Sequence, residues 1–239
     1  MNRKALTAAF KLTIPVLIGY ITIGVAFGLM LSSAGYGAAW AFLMSLTIFA
    51  GSSQFLGVEL LHTGAALTQI ALMVFLINFR HVVYGISMLE KFRGMGPQKA
   101  YMIFSLTDET YALLSAAEPP AGVSPKKYYF CVSALNQLYW VSGSVAGCAA
   151  GSLMRFNIPG IEFAMTAMFI VIAIEQWATA KNRLPAVIGA ASALLALFLF
   201  GGGNMLLPAL FPIVTLLLLL QGRFGDSATT KRTEGGEET

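Results

Sequence analysis

Charge is what this sequence has least of. Only 26 of its 239 residues are Asp, Glu, Lys or Arg, or 11%, where a globular domain carries about a quarter. With 57% hydrophobic residues and a mean hydropathy of +0.74, that shortage excludes a soluble fold. The net charge of +4 is spread over connecting segments, and no basic stripe interleaves with aromatics, so nucleic acid is excluded as a partner. Cysteine is also scarce. Cys131 and Cys148 stand 17 residues apart in one apolar stretch, roughly 25 Å along a helix, too far to bond to each other. The two histidines show no H-E-x-x-H or other metal-ligand spacing, which leaves no metal site and no hydrolytic centre, and no cofactor is called for. A G-x-x-x-x-G-K-[ST] loop is missing too, so this chain binds no ATP.

What remains is a series of long apolar stretches. A membrane-spanning helix needs about 20 such residues, and residues 12–31, 38–61, 65–89, 128–152, 160–180, 185–202 and 204–221 qualify. The stretch 100–117 carries Asp108 and Glu109 at its middle and reads either as a helix lining a polar cavity or as a segment that dips in without crossing. The expected fold is therefore all-α: a polytopic membrane protein with six to eight membrane segments, some broken or re-entrant around 50–54 and 100–117. Residues 1–222 form one integral membrane domain in this reading, and 223–239 a polar, disordered cytoplasmic tail.

Sorting the charges by position is more informative than counting them. Twenty-one fall in six short intervals between, beyond or at the edges of the apolar stretches; Glu59, Arg80, Asp108, Glu109 and Glu175 lie deeper inside them. A charge in hydrocarbon costs several kcal/mol unless it is paired or faces water. Placing Lys91, Arg93, Lys99, Lys126 and Lys127 on the cytoplasmic side, with Lys181, Arg183 and the C-terminal tail, satisfies the positive-inside rule for the C-terminal half. Counting back then puts Arg3, Lys4 and Lys11 outside. Two repairs are open: 38–61 enters and leaves on one side, turning at Ala50 to Gln54, or 100–117 crosses. The first is favoured, because Gly51-Ser52-Ser53-Gln54 is the most polar run in any apolar stretch.

Those residues form the first candidate motif. A helix broken there exposes backbone N–H groups that can hold a carboxylate, with Gln54 as an added donor; close packing through Gly51, Ser52 and Ser53 is the plainer explanation. The second is Asn78-Phe79-Arg80-His81-Val82-Val83-Tyr84. On a helix, Asn78, His81 and Tyr84 make a polar stripe with Arg80 about 100° to one side. Roughly 15 Å from the span's end, Arg80 is deep for a side chain that merely snorkels, and Arg80 with His81 suits pairing or proton relay. The third holds Asp108 and Glu109, either of which can neutralise Arg80 or take an ammonium group or a proton. Asn136 and Gln137 sit mid-span beside Trp140, and Glu175 with Gln176 near the end of another; lining a pathway and bonding between helices explain both pairs equally well. Glu59 and His62 fit a solvated mouth. Gly24 and Gly28, and Gly143, Gly147 and Gly151, recur at four-residue spacing and mark packing seams.

At these residues the sequence resembles the AzlC family, the large subunit of branched-chain amino acid exporters. The resemblance is carried by Pro15 with Gly19-Tyr20, Ala26-Phe27-Gly28, the run Phe49 to Phe55, Asn78-Phe79-Arg80-His81 with Tyr84-Gly85, and Thr107-Asp108-Glu109-Thr110. It implies export of branched-chain amino acids such as valine across the bacterial inner membrane, with a small AzlD-type membrane subunit as partner. No residue-level mechanism comes with it. Combined with the motifs, it yields one expectation: Gly51, Ser52, Ser53, Gln54, Asn78, Tyr84, Asn136 and Gln137 bind substrate, and Arg80, His81, Asp108 and Glu109 relay protons or ions. The competing reading is a channel-like or scaffold subunit without coupled transport.

Overall fold

In the computed structural model the described residues are 3–62, 64, 66–154, 170, 173–174, 177–178, 183–201, 208–209, 211–213, 215–216 and 219. Among them the regular structure is entirely helical: α1 (Arg3–Ser33), α2 (Ala38–Thr47), α3 (Gly51–His62), α4 (Leu67–Ser87), α5 (Gln98–Phe104), α6 (Asp108–Ala116), α7 (Pro125–Met154) and α8 (Leu184–Phe200). Two of these, α1 and α4, are both long and apolar enough to cross a membrane, and α2 and α8 are shorter apolar helices. The chain divides into two compact units, Met1–Met168 and Phe169–Thr239. In the second, α8 starts with Pro185 in its first turn and ends at Gly201. The expected stretches 160–180 and 204–221 fall largely outside the described residues, as do Arg155, Glu175, Gln176, Lys181 and the tail.

The first unit is organised around the pair α1 and α7. Without a hydrophobic driving force in lipid, helices associate through close van der Waals contact, which small residues permit. The glycine seams supply it. A Cβ on Gly28 would sit 2.1 Å from the Ser144 carbonyl oxygen and 2.4 Å from the Cys148 nitrogen; one on Gly147 would sit 2.2 Å from the Val25 carbonyl oxygen. Gly24 and Gly143 face the partner backbone in the same way, while Gly151 meets the Ser32 side chain. The two backbones thus touch directly along the seam. Thr13 Oγ1 and Tyr139 OH, 3.0 Å apart, add a buried hydrogen bond between the same helices. Cys131 and Cys148 are both buried as free thiols.

Two apolar clusters flank this pair. One gathers Phe92, Met102, Leu106, Leu114 and Val132 with Ala5 and Ala9; the other gathers Phe27, Leu31, Phe49, Phe55, Trp140 and Cys148. Helix α4 is different: of its 21 residues only Met73 and Gly85 are buried, and Phe75, Phe79, Val82, Val83 and Ile86 are exposed.

Both stretches expected to be irregular are interrupted, the first at a different place. Gly51 to Gln54 are helical and form the first turn of α3, and the break lies before them, over 48–50. The pivot is Phe49, a non-glycine residue at φ 40°. Such a conformation costs about 1–3 kcal/mol and persists where the surroundings over-determine it; the Phe49 ring is buried, edge-on to Tyr20. Gly51 is a glycine for another reason: a Cβ there would come within 2.9 Å of the Trp140 ring. The second interruption, at 105–107, separates α5 from α6 directly before the two carboxylates.

Candidate functional site

The second break gives α6 a well-formed N-terminus. Thr107 is its N-cap, accepting from the Thr110 amide at 3.2 Å, and Asp108 and Glu109 occupy the first turn, where the helix dipole favours negative charge. At the other end, Lys91 Nζ donates to the carbonyls of Ser115 and Ala117, both at 3.0 Å. The short helix is held from both sides, which fixes where its carboxylates lie.

Asp108 meets α4. Arg80 Nη1 lies 2.6 Å from Asp108 Oδ2, and Tyr84 OH donates to Asp108 Oδ1 at 2.7 Å. Arg80 and Tyr84 are four residues apart and so about 40° apart around the helix, which lets both reach one carboxylate. Arg80 Nη2 donates in addition to Ser52 Oγ at 3.1 Å, in the first turn of α3. One guanidinium therefore bridges the N-terminal turns of two half-helices, α3 and α6. The pair is neither sealed nor free, since each of its side chains is 37% exposed. The His81 ring tilts against Tyr84, with centroids 5.9 Å apart, and the Tyr111 ring stacks on Tyr84 at 4.4 Å.

Glu109 is exposed and turns to a different partner: Tyr20 OH of α1 donates to Glu109 Oε2 at 2.7 Å and shares a hydrogen bond with Thr107 Oγ1. Helix α7 supplies the back wall. Asn136, fully buried, donates from Nδ2 to Thr110 Oγ1 at 3.0 Å, while its Oδ1 has no partner. Gln137 donates to the Leu46 carbonyl at the end of α2 and accepts from Tyr101 OH of α5. Trp140 Nε1 donates to Gln54 Oε1 at 2.7 Å, and Gln54 Nε2 donates to Ser45 Oγ at 3.3 Å. Neighbouring positions on the single helix α7 thus bond to elements on both sides of each break.

The sequence-selected residues accordingly separate into groups. Ser52, Arg80, Tyr84 and Asp108 come together in one network, with His81 beside it. Gln54 and Gln137 are buried with both ends of their amides engaged by protein, and Gly51 is covered by Trp140. Ser53 is buried in the first turn of α3 with its hydroxyl unpartnered; Asn78 Oδ1 and Arg80 Nε are unpartnered as well. Glu59 is exposed. Reading the sequence missed Tyr20, Thr107 and Thr110 as members of the polar network; the signal was faint, a tyrosine beside the glycine at position 19 and a threonine before two acids.

Helices broken in mid-stretch around a charged pair, in so apolar a chain, mark a membrane transport protein. The comparison with known proteins makes this specific. The family model described as AzlC protein matches residues 15–154, which include every group just described. The chain belongs to the AzlC family. It is 39% identical over 226 residues to the branched-chain amino acid transport protein AzlC of Bacillus subtilis (strain 168), covering 92% of this chain and 89% of that protein. An uncharacterized membrane protein of Helicobacter pylori (strain ATCC 700392 / 26695) is 40% identical over 218 residues, 91% of this chain and 96% of its own. The inner membrane protein YgaZ of Escherichia coli (strain K12) is 30% identical over 161 residues, 66% of each. No solved structure matches.

Proposed function

We propose that this chain is the large subunit of a secondary transporter that exports branched-chain amino acids across the bacterial inner membrane, coupled to protons, with a small AzlD-type membrane subunit and a cytoplasmic C-terminus. The observation that carries the proposal is the Arg80–Asp108 pair at the meeting of two half-helix N-termini. A zwitterion needs a cationic contact for its carboxylate and an anionic one for its ammonium. The pair holds both, already neutralising each other. A substrate entering between them gives its carboxylate to Arg80, Ser52, Ser53 and the first amides of α3, and its ammonium to Asp108, with no net charge moved into the membrane. Tyr84 borders this space through its bond to Asp108, Asn136 supports α6 through Thr110, and Gln54 and Gln137 hold the helix ends from behind. Protons pass through His81, Asp108 and Glu109, the titratable groups at its edge.

The test is efflux of labelled valine from vesicles holding the chain with and without the small partner, with and without a proton gradient. The proposal requires flux that depends on both; equal flux with or without a gradient removes the proton coupling. Flux at the level of empty vesicles under every condition removes the transport reading.

A further inference from the structure

We propose that Tyr20 is a positioning residue that makes the two helix breaks move as one. The inference rests on the transport reading for its consequence and on the geometry of a single side chain for its content. Tyr20 lies on α1, which the glycine seam fixes against α7, and it is 5% exposed. Its ring stands edge-on to Phe49, the positive-φ pivot of the first break, with centroids 6.4 Å apart and planes at 84°. The same ring meets Trp140 at 5.6 Å, and Trp140 in turn covers Gly51 and bonds Gln54 on α3. Its hydroxyl reaches the second break, touching Thr107, the cap of α6, and Glu109 in the first turn.

A tyrosine has two side-chain torsions and a rigid six-membered ring between its contacts. Displacing α6 by way of Thr107 or Glu109 therefore turns or pulls the ring, and the ring bears on Phe49 and Trp140. Substrate that separates Arg80 from Asp108 acts on both half-helices in turn, because Ser52 on α3 and Asp108 on α6 share the same guanidinium. Arg80 couples the breaks on the substrate side, and Tyr20 couples them on the side of the α1–α7 post. Packing alone requires the ring; only coupling requires the hydroxyl.

Tyr20→Phe keeps the ring and removes the hydroxyl. Hydrogen exchange on the full-length protein in lipid nanodiscs reads residues 51–56 and 108–113 separately. Coupling predicts that Tyr20→Phe raises exchange about tenfold in both segments, the size of one lost hydrogen bond to a charged group, and that Phe49→Leu does so in both as well. Effects confined to 108–113 for the first variant and to 51–56 for the second overturn the proposal. In valine efflux, Tyr20→Phe lowers kcat about tenfold and leaves KM within about twofold, as for a lost conformational step; a change in KM alone counts against it. Wild-type vesicles that carry no valine overturn the transport reading, while the exchange result still decides the role of Tyr20.

Discussion

Replacing Asp108 by Asn removes one charge and almost no volume, so its effect can be worked out from the contacts. Asp108 accepts from Arg80 at 2.6 Å and from Tyr84 at 2.7 Å. An exposed ion pair is worth about 0–1 kcal/mol and breaking a buried one costs about 3–5; with both side chains 37% exposed, about 2 kcal/mol is the appropriate middle value. Tyr84 keeps a neutral acceptor in place of a charged one and loses about 1 kcal/mol, and loss of the anion at the α6 N-terminus removes a few tenths more. Of these, a substrate ammonium would take over only the Arg80 contact, about 2 kcal/mol, or about 30-fold in affinity; the other two losses fall on the stability of the site. The assay is the concentration dependence of labelled valine transport in proteoliposomes at matched protein content, for wild type, Asp108→Asn and Asp108→Glu. We expect KM to rise about 30-fold for Asn and less for Glu, which keeps the charge but misplaces it. An Asn variant with KM and maximal rate both within twofold of wild type would show that Asp108 makes no contact with the substrate.

The packing claims are tested by stability. Gly28→Ala, whose Cβ would lie 2.1 Å from the Ser144 carbonyl oxygen, is expected to abolish or severely destabilise the fold, whereas Gly19→Ala, with nothing within 4 Å, is neutral; thermal melting of the purified proteins compares the two. Gln54→Met leaves the buried Trp140 Nε1 without its acceptor and is expected to cost about 1–3 kcal/mol of stability without changing KM for valine, a result that separates support of the helix ends from substrate contact.

The parts of the molecule legible in the sequence were those written in local spacing. Gly24 and Gly28, and Gly143 and Gly147, each announced a packing seam through their four-residue spacing, and the structure sets the two series against each other. Arg80, Asp108 and Glu109 each stood out as a charge needing a reason to be buried, with either acid open as the neutraliser of Arg80; the structure puts Asp108 2.6 Å from it and turns Glu109 to Tyr20. The position of the first break was not legible. Gly51 drew attention as part of the polar run where the stretch was expected to turn, yet its missing Cβ makes room for Trp140, 89 residues away, while the turn itself is taken by Phe49, a residue whose own preference opposes positive φ. Tyr20 was hidden for a similar reason. An aromatic in an apolar helix looks like filler until the chain brings Thr107 and Glu109 to its hydroxyl. Spacing along a helix reveals which residues share a face, and nothing in it reveals which distant break that face meets.

Whether a zwitterion replaces the mutual contact of Arg80 and Asp108 is decided by competition on the purified protein. Binding of labelled valine is measured against unlabelled valine, isobutylamine and isovalerate, which keep the side chain but carry only the ammonium or only the carboxylate. Valine is expected to displace the label, and either half-analogue to do so at least about 100-fold more weakly, since each would leave Arg80 or Asp108 without a partner. Displacement by isobutylamine or isovalerate at concentrations comparable to valine would contradict it.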